Sequence, residues 1–478
     1  MVSDEEKFRE IEAEVLRRIK PSKEEYDLVW SVYRKIKNVV KDALEKHGVQ
    51  AEISLQGSIQ KDTWISGERD LDIFILFPPE WSREELEDKG FKILVEAAKK
   101  IGNYSIRYAE HPYVRVIVDS VEADLVPAFK IDSPDKIKSA VDRTPFHTQY
   151  VVDNLPPSRR DDVRLLKKFM KAVGVYGAEV KVKGFSGYLV ELLVIVYGSF
   201  RNVLRQASKW KPPVYVNTLG LKKRDFHKLI NILKRKYPDS VMYVPDPVDP
   251  ERNVAAAVSM RSLATFSIAA TCYLRNPSMN FFFPVKPKIE FKELVDLVNR
   301  SNRCMFFMMF ALHRELPPDV IWGEIDRVMD RFVKITSNFD FRPIYSSAWS
   351  DEKRICIIGF EFENCLLKEY RFHGGPPFHS SERVLGFIKK HYEEAYAGPW
   401  IDKSGYLRAL AKRRYRIIYD LVIDRINEYL VAPDFRNNPP ILLSIEGLYN
   451  LYMMDKGFRE WLVDFVLRKS AWMKDCIA

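Results

Sequence analysis

One stretch limits what this chain can fold into. Asp70-Leu71-Asp72-Ile73-Phe74-Ile75-Leu76-Phe77 alternates as a β-strand, with Leu71, Ile73, Ile75 and Phe77 on one face. Asp70 and Asp72 open the other face, before Phe74 and Leu76 close it over. Carboxylates at i and i+2 on a strand lie about 7 Å apart and repel unless a cation stands between them. Oxygen ligands with room for water and phosphate suit a hard divalent ion such as Mg²⁺. A further carboxylate is offered by Val121-Glu122-Ala123-Asp124-Leu125, where Glu122 and Asp124 share the polar face. Upstream, Val49–Leu55 alternates as a strand into Gly57-Ser58. A glycine there lets backbone approach a ligand, a following helix would aim N–H groups at an anion, and Ser58 adds a hydroxyl. This reads as a seat for a triphosphate. Asp-x-Asp alone also describes a solvated strand end, and Gly-Ser alone an ordinary turn. Their combination makes the catalytic reading the stronger one.

At 478 residues the chain exceeds one core, so about two to four domains are expected. Hydrophobic residues at 46% beside 30% charged ones exclude a disordered chain. Met1-Val2-Ser3-Asp4 shows no signal peptide. The most apolar runs, Tyr188–Phe200 and Cys304–Leu312, fall short of the ~20 residues that span a bilayer, so no membrane partner is expected. Cys272, Cys304, Cys356, Cys365 and Cys476 are scattered without CxxC spacing. That pattern predicts reduced, packed thiols in a cytoplasm and no structural zinc. His373 and His379, which flank a Gly-Gly-Pro-Pro run, lack partners that would make them metal ligands. Between Arg201 and Lys236 there are 11 basic residues against the single acid Asp225, a surplus equal to the net charge of +10. Such a field attracts a polyanion, although a solvated face explains it as readily.

Along the chain, residues 4–20 and 23–47 read as amphipathic helices, the second with Ser22 as N-cap and Gly48 past its end. Ser82 caps a helix over Arg83–Ile101. Tyr113–Val118 and Val121–Val126 read as strands joined by Asp119-Ser120, which can bring Asp124 beside the Asp70/Asp72 strand. Helices follow at Val163–Val173, from Phe185 onward, and from the Asp246–Ala255 segment. The remainder reads as strands over Met305–Leu312, Arg342–Ala348, Arg354–Phe362 and Leu366–Phe372, with helices over Glu324–Asn338, Ser381–Glu394 and Ser404–Leu430. The last carries Arg408, Lys412 and Arg416 at i,i+4 spacing, hence one stripe.

Gly57-Ser58, Asp70-x-Asp72 and Asp124 resemble the palm signature of the DNA polymerase beta-like nucleotidyltransferases. Thr63-Trp64-Ile65-x-Gly67 and Arg107-Tyr108-Ala109-Glu110-His111-Pro112-Tyr113 are similar to the archaeal (class I) CCA-adding enzymes in particular. The resemblance implies an α+β fold: a palm with a mixed sheet over 1–145, a helical central domain over 146–275, an α+β body over 276–375, and a helical tail over 376–478 that partly returns to the body. It implies addition of C, C and A to the 3′ end of tRNA from CTP and ATP, without a nucleic-acid template. Asp70, Asp72 and Asp124 would hold two Mg²⁺ ions; Glu122 ranks behind Asp124 because the family motif places the ligand two residues later. Gly57, Ser58, Lys61, Thr144, His147, Lys167, Tyr176 and Ser186 would contact the triphosphate or ribose, Arg252 would help read the incoming base, and Asn253 would also bind the nucleotide. Read blandly, Lys167 is a solvated helix residue, Tyr176 a core aromatic and His147 a buried histidine. The acceptor arm would be gripped by Arg201, Arg205, Lys222, Lys223 and Arg224, and by the Arg408, Lys412 and Arg416 stripe. A homodimer is compatible with the family. Two positions depart from it: Asp70 stands where relatives often have Glu, and Lys61 replaces an arginine without its bidentate fork. The same palm also serves poly(A) or oligoadenylate synthesis, and a non-catalytic RNA-binding protein could retain a spent one.

Overall fold

A computed structural model describes residues 4–108, 112–436 and 438–477. It divides into two compact units, Met1–Val285 with Ser470–Ala478, and Lys286–Lys469. Ala109-Glu110-His111, part of the family-like stretch, lies outside the described residues.

In the first unit, the helix Lys23–Lys46 starts at a reciprocal cap. The Ser22 hydroxyl accepts the Glu25 N–H at 3.3 Å, and the Glu25 carboxylate accepts the Ser22 N–H at 3.2 Å. Val29, Val32, Ile36, Val40 and Leu44 recur on one face and share a core with Leu71, Ile73, Ile75 and Phe77. Five strands form the sheet: β1 (Glu52–Gln56), β2 (Asp70–Phe77), β3 (Tyr104–Tyr108), β4 (Pro112–Val118) and β5 (Val121–Phe129), in the order β1-β2-β5-β4-β3. Only β2 and β5 run parallel. Asp119 and Ser120 turn β4 into β5 with φ of +49° and +64°, the left-handed pair that a two-residue hairpin needs. On the sheet's other face Phe74, Leu76 and Ala128 pack with Val126 and Val141. The helix expected over Arg83–Ile101 is interrupted by a π-turn at Leu86–Gly90, where Gly90 lies against the Phe77 ring.

The second core of this unit is helical. Phe169 on helix Arg160–Ala172 meets the rings of Phe200, Phe266, Tyr273, Phe281 and Phe282. The first helix, Asp4–Ile19, adds Phe8, Val15 and Ile19. Two short strands, β6 (Val214–Tyr215) and β7 (Met242–Tyr243), pair in parallel. No helix begins in Asp246–Ala255. The Asp246 carboxylate accepts the Val248 N–H at 3.0 Å, and with Pro247 and Pro250 this holds a turn until Ser259 caps helix Met260–Arg275. Helices Gly187–Tyr197 and Phe200–Ala207 are bent by 94° and bury Leu189–Val194 in this core; among the described residues no single helix is long and apolar enough to cross a membrane.

The thiol reading is corrected here. Cys272 is bonded to Cys476 and Cys304 to Cys365, leaving Cys356 free and buried. The fold brings their Cα atoms to 4.7 and 5.2 Å, an approach that spacings of 204 and 61 residues do not reveal. The Cys272–Cys476 bond ties the chain end to the first unit, where Trp472 packs on Phe281 and Asp475 accepts the Asn280 amide at 3.0 Å. Cys272→Ser should therefore lower stability by about 2–4 kcal/mol in oxidising buffer and by little in reducing buffer. Denaturant melts with and without dithiothreitol measure this; equal midpoints would mean that the sulfurs act only as packed thiols.

In the second unit, Ile441–Leu443, β8 (Cys304–Ala311), β10 (Ile355–Phe362) and β9 (Pro343–Ser350) form an antiparallel sheet in that order. Alternation splits its rings between two helices. Phe306 and Phe360 meet Phe332 of helix Pro318–Asn338, whereas Phe307 meets Phe465 of helix Lys456–Leu467. A second sheet orders β11 (Tyr370–Pro377), β13 (Tyr406–Lys412) and β12 (Ala397–Ile401), backed by helix Ser381–His391. The strand expected over Leu366–Phe372 begins only at Tyr370. The single helix expected over Ser404–Leu430 is instead β13 followed by short helices Ile418–Asp424 and Ile426–Tyr429. Leu407, Ala409 and Ala411 alternate into a core, and that burial overrides the helical propensity of the segment. Arg408 and Lys412 thus share a strand face about 13 Å apart rather than one helical turn apart. Arg416 lies beyond the strand. The predicted helical stripe does not exist, and Arg408 and Arg416 already pair with Asp402 and Glu369.

Candidate active site

The parallel pairing of β2 and β5 places Asp72 opposite Asp124 and Asp70 opposite Glu122. β1 brings Gly57 to the same edge, at φ +73°. A Cβ there would fall 1.9 Å from the Asp72 carboxylate oxygen. Only a residue without a side chain lets Asp72 stand where it does. The helix expected after Gly57-Ser58 is a single turn, Gly57–Gln60. Asp72 is half-buried, and its carboxyl is pushed up to about 6 by burial first and by Asp124 second, with Lys61 opposing both.

Arg115 is one residue that motif reading missed. From the neighbouring β4 it donates to both Asp124 oxygens, at 2.7 and 2.8 Å, and to Glu122 at 3.0 Å. It is the one charge in the apolar strand Tyr113–Val118, and period-two alternation sets it on the carboxylate face. Among the described residues no three acidic, histidine or cysteine side chains already converge as a metal cage. Asp124 is engaged by Arg115 instead. By donor chemistry the set still fits a hard divalent cation: carboxylate oxygens from Asp70, Asp72 and Asp124.

A second cluster joins the palm to the helices. Lys61 donates to Glu191 at 2.6 Å, Thr63 donates to the other Glu191 oxygen at 2.6 Å, and Lys167 donates to the Thr63 carbonyl and hydroxyl at 3.0 and 3.1 Å. Glu191 is fully buried, a lone acid in the apolar helix Gly187–Tyr197, and that solitary charge was the available signal. Lys167 is buried rather than solvated, and burial pulls its ammonium down to about 8 against the attraction of Glu191. Tyr176 and Ser186 lie together at the start of that helix. The Ser186 hydroxyl caps it through the Leu189 N–H, and Gly187 leaves room for the Tyr176 hydroxyl.

A third group is built on Asp246. This buried carboxylate receives His147 at 2.8 Å, Tyr188 at 3.1 Å and Arg252 at 2.9 Å, while His147 stacks on Tyr188. Thr144 lies one turn before His147, on helix Arg143–Asn154, which packs against the Gly57–Gln60 turn. Asn253 departs from expectation. Its amide is spent on the backbone, accepting from Val244 at 2.9 Å and donating to Met242 at 2.9 Å, so it braces the loop from inside.

Of the expected RNA contacts, Arg201 is likewise internal. It grips Glu12 at 2.8 Å and Glu5, with its guanidinium over Phe8, tying two helices together. Arg205 is exposed and bonds Asn202 at 2.9 Å. Lys222, Lys223 and Arg224 are exposed at the start of helix Lys223–Lys236, the end where the helix dipole disfavours cations. An anionic partner would relieve that cost.

Three family models match this chain: nucleotidyltransferase domain over residues 34–147, second domain of tRNA nucleotidyltransferase over 161–283, and C-terminal domain of CCA-adding enzyme over 302–431. The CCA-adding enzyme of Sulfurisphaera tokodaii is 43% identical over 407 residues, 85% of this chain and 89% of that one. That of Saccharolobus solfataricus is 36% identical over 465 residues, 97% of this chain and all of the relative. The solved structure of a cytoplasmic RNA terminal U-transferase overlays with a TM-score of 0.44 and 14% identity over 56% of this chain. At such identity along nearly its whole length, the chain belongs to the CCA-adding enzymes, a family of tRNA nucleotidyltransferases.

Proposed function

We propose that this chain completes the 3′ end of tRNA, adding C, C and A from CTP and ATP. The observation that carries this reading is the register of Asp72 against Asp124, with Gly57 cut back to admit the Asp72 carboxylate. Asp70, Asp72 and Asp124 would hold two Mg²⁺ ions. Bound there, divalent metal lowers the pKa of the attacking hydroxyl and steadies charge on the departing pyrophosphate. In each addition the RNA 3′-oxygen bonds to the α-phosphorus, the bond to the bridging oxygen breaks, and pyrophosphate leaves with that electron pair. The hydroxyl proton passes to solvent. The chain's own groups mainly position the reactants, as phosphoryl chemistry requires. Arg115 orients Asp124 at the palm edge by donating to both of its oxygens. Lys61, Lys167, Ser58, Tyr176 and Ser186 line the triphosphate end, and His147, Thr144 and Arg252 the sugar and base end. The division into palm (1–145), central domain (146–275), body (276–375) and tail (376–478) belongs to this reading.

The test is an incorporation assay on tRNA transcripts ending before, within and after CCA, with single labelled nucleotides and Mg²⁺. Two C additions, one A and then arrest are expected. Long A tails would move the reading to poly(A) synthesis; tight tRNA binding without incorporation would leave a non-catalytic binder. Phosphate contacts from Lys222, Lys223 and Arg224 carry their own prediction. Neutralising all three should flatten the slope of log K against log salt for tRNA by about two to three units. An unchanged slope would make that run a solvated face.

A further inference from the structure

Two buried ammonium groups and one carboxylate meet where the palm joins the helices. Lys61 and Thr63 come from the segment after Gly57-Ser58, and Lys167 and Glu191 from two packed helices. The side chains of Lys167 and Glu191 are 4% and 1% exposed, and that of Lys61 is 10% exposed, so bulk water and salt screen their attraction little. Glu191 spends one oxygen on Lys61 and the other on Thr63, with Lys167 at 3.7 Å. The cluster keeps a net positive charge beside the triphosphate seat.

We propose that Glu191 is a positioning residue of the nucleotide site, holding Lys61 and Lys167 in place for the triphosphate. This rests on the reading of Lys61 and Lys167 as triphosphate contacts. One physical need leads to it. A lysine ammonium is a point charge on a flexible stem, unlike the planar fork of an arginine, so its direction must be set by a partner. Glu191 supplies that partner, a buried charge-assisted hydrogen bond to the Lys61 ammonium at 2.6 Å. Thr63 completes the tether, fixing the second carboxylate oxygen and, through its carbonyl, the Lys167 ammonium. The pKa directions agree: burial would raise Glu191, yet Lys61 and Lys167 bring it below its ordinary value, so it stays ionised.

The test compares wild type, Glu191→Gln, Glu191→Asp, Lys61→Gln and the double variant Glu191→Gln/Lys61→Gln. Steady-state kinetics use ATP on tRNA ending in CC, and calorimetry measures binding of inorganic tripolyphosphate without metal. Glu191→Gln should raise the ATP KM and weaken tripolyphosphate by about tenfold, with kcat at saturation changed less than about threefold, the pattern of lost ground-state positioning. Glu191→Asp should recover part of the loss. The double variant should lose no more than Lys61→Gln alone, since the two act as one unit. If Glu191→Gln is folded and both KM and tripolyphosphate affinity match wild type, Glu191 is only an internal brace and the proposal falls. If Glu191→Gln does not fold, Glu191→Asp decides the same question by the direction of its shift. A wild type that adds no nucleotide would defeat the CCA reading, while the tripolyphosphate arm would still decide Glu191.

Discussion

Asp72→Asn is expected to lower nucleotide incorporation by about 10³-fold or more while the protein stays folded. Metal-held charge stabilisation is worth several kcal/mol in reactions of this type, and each 1.36 kcal/mol is about a factor of ten. Asparagine keeps the volume of the side chain that fits against Gly57, so packing is preserved. It removes one of two carboxylates that face each other across β2 and β5, so their mutual repulsion in the metal-free protein is relieved. The thermal midpoint without divalent metal should therefore hold or rise as activity vanishes. That opposition of activity and stability marks a functional charge and not a packing residue. Single-turnover incorporation at saturating Mg²⁺ with a parallel melt reads both quantities. Turnover near the wild-type level would remove Asp72 from the metal assignment.

Gly57→Ala should be nearly as damaging for a different reason. The residue is held at φ +73°, a region that costs an L-side chain about 1–2 kcal/mol. Its new Cβ would also overlap the Asp72 carboxylate, at 1.9 Å from the oxygen. Asp72 must then move by more than an ångström, and a displacement of about that size at a reacting centre costs about 10²-fold in rate. The expected signature is a lower kcat with a higher Mg²⁺ concentration for half-maximal rate, beyond what the modest loss of stability explains. Metal titration of the rate tests this. If the metal dependence and kcat of Gly57→Ala matched wild type, the close approach of Gly57 and Asp72 would have no catalytic meaning.

Much of this site was legible in one dimension. The strand Asp70–Phe77, its two faces and its pair of carboxylates follow from period-two alternation, which is local. The hairpin that delivers Asp124 follows from two short apolar runs around Asp119-Ser120. Local rules failed where burial outranked propensity, as in β13, whose alanines and leucines suit a helix but alternate into a core. They failed again where prolines and an aspartate turn replaced a helix start, in Asp246–Ala255.

Sequence by itself determined the strands that carry Asp70, Asp72 and Asp124, because alternation depends on neighbours a few residues away, whereas strand β3 and the fit of Gly57 to Asp72 came only with the sheet. Tertiary structure alone decided which charges are spent inside the protein. Arg201 is taken by Glu12 across 189 residues, Lys61 by Glu191 across 130 and His147 by Asp246 across 99, while Cys272 finds Cys476 across 204. Composition shows these groups as surplus charge or free thiols. Only folding brings their partners within reach, since an ion pair or a disulfide is set by distance in space and not by spacing along the chain.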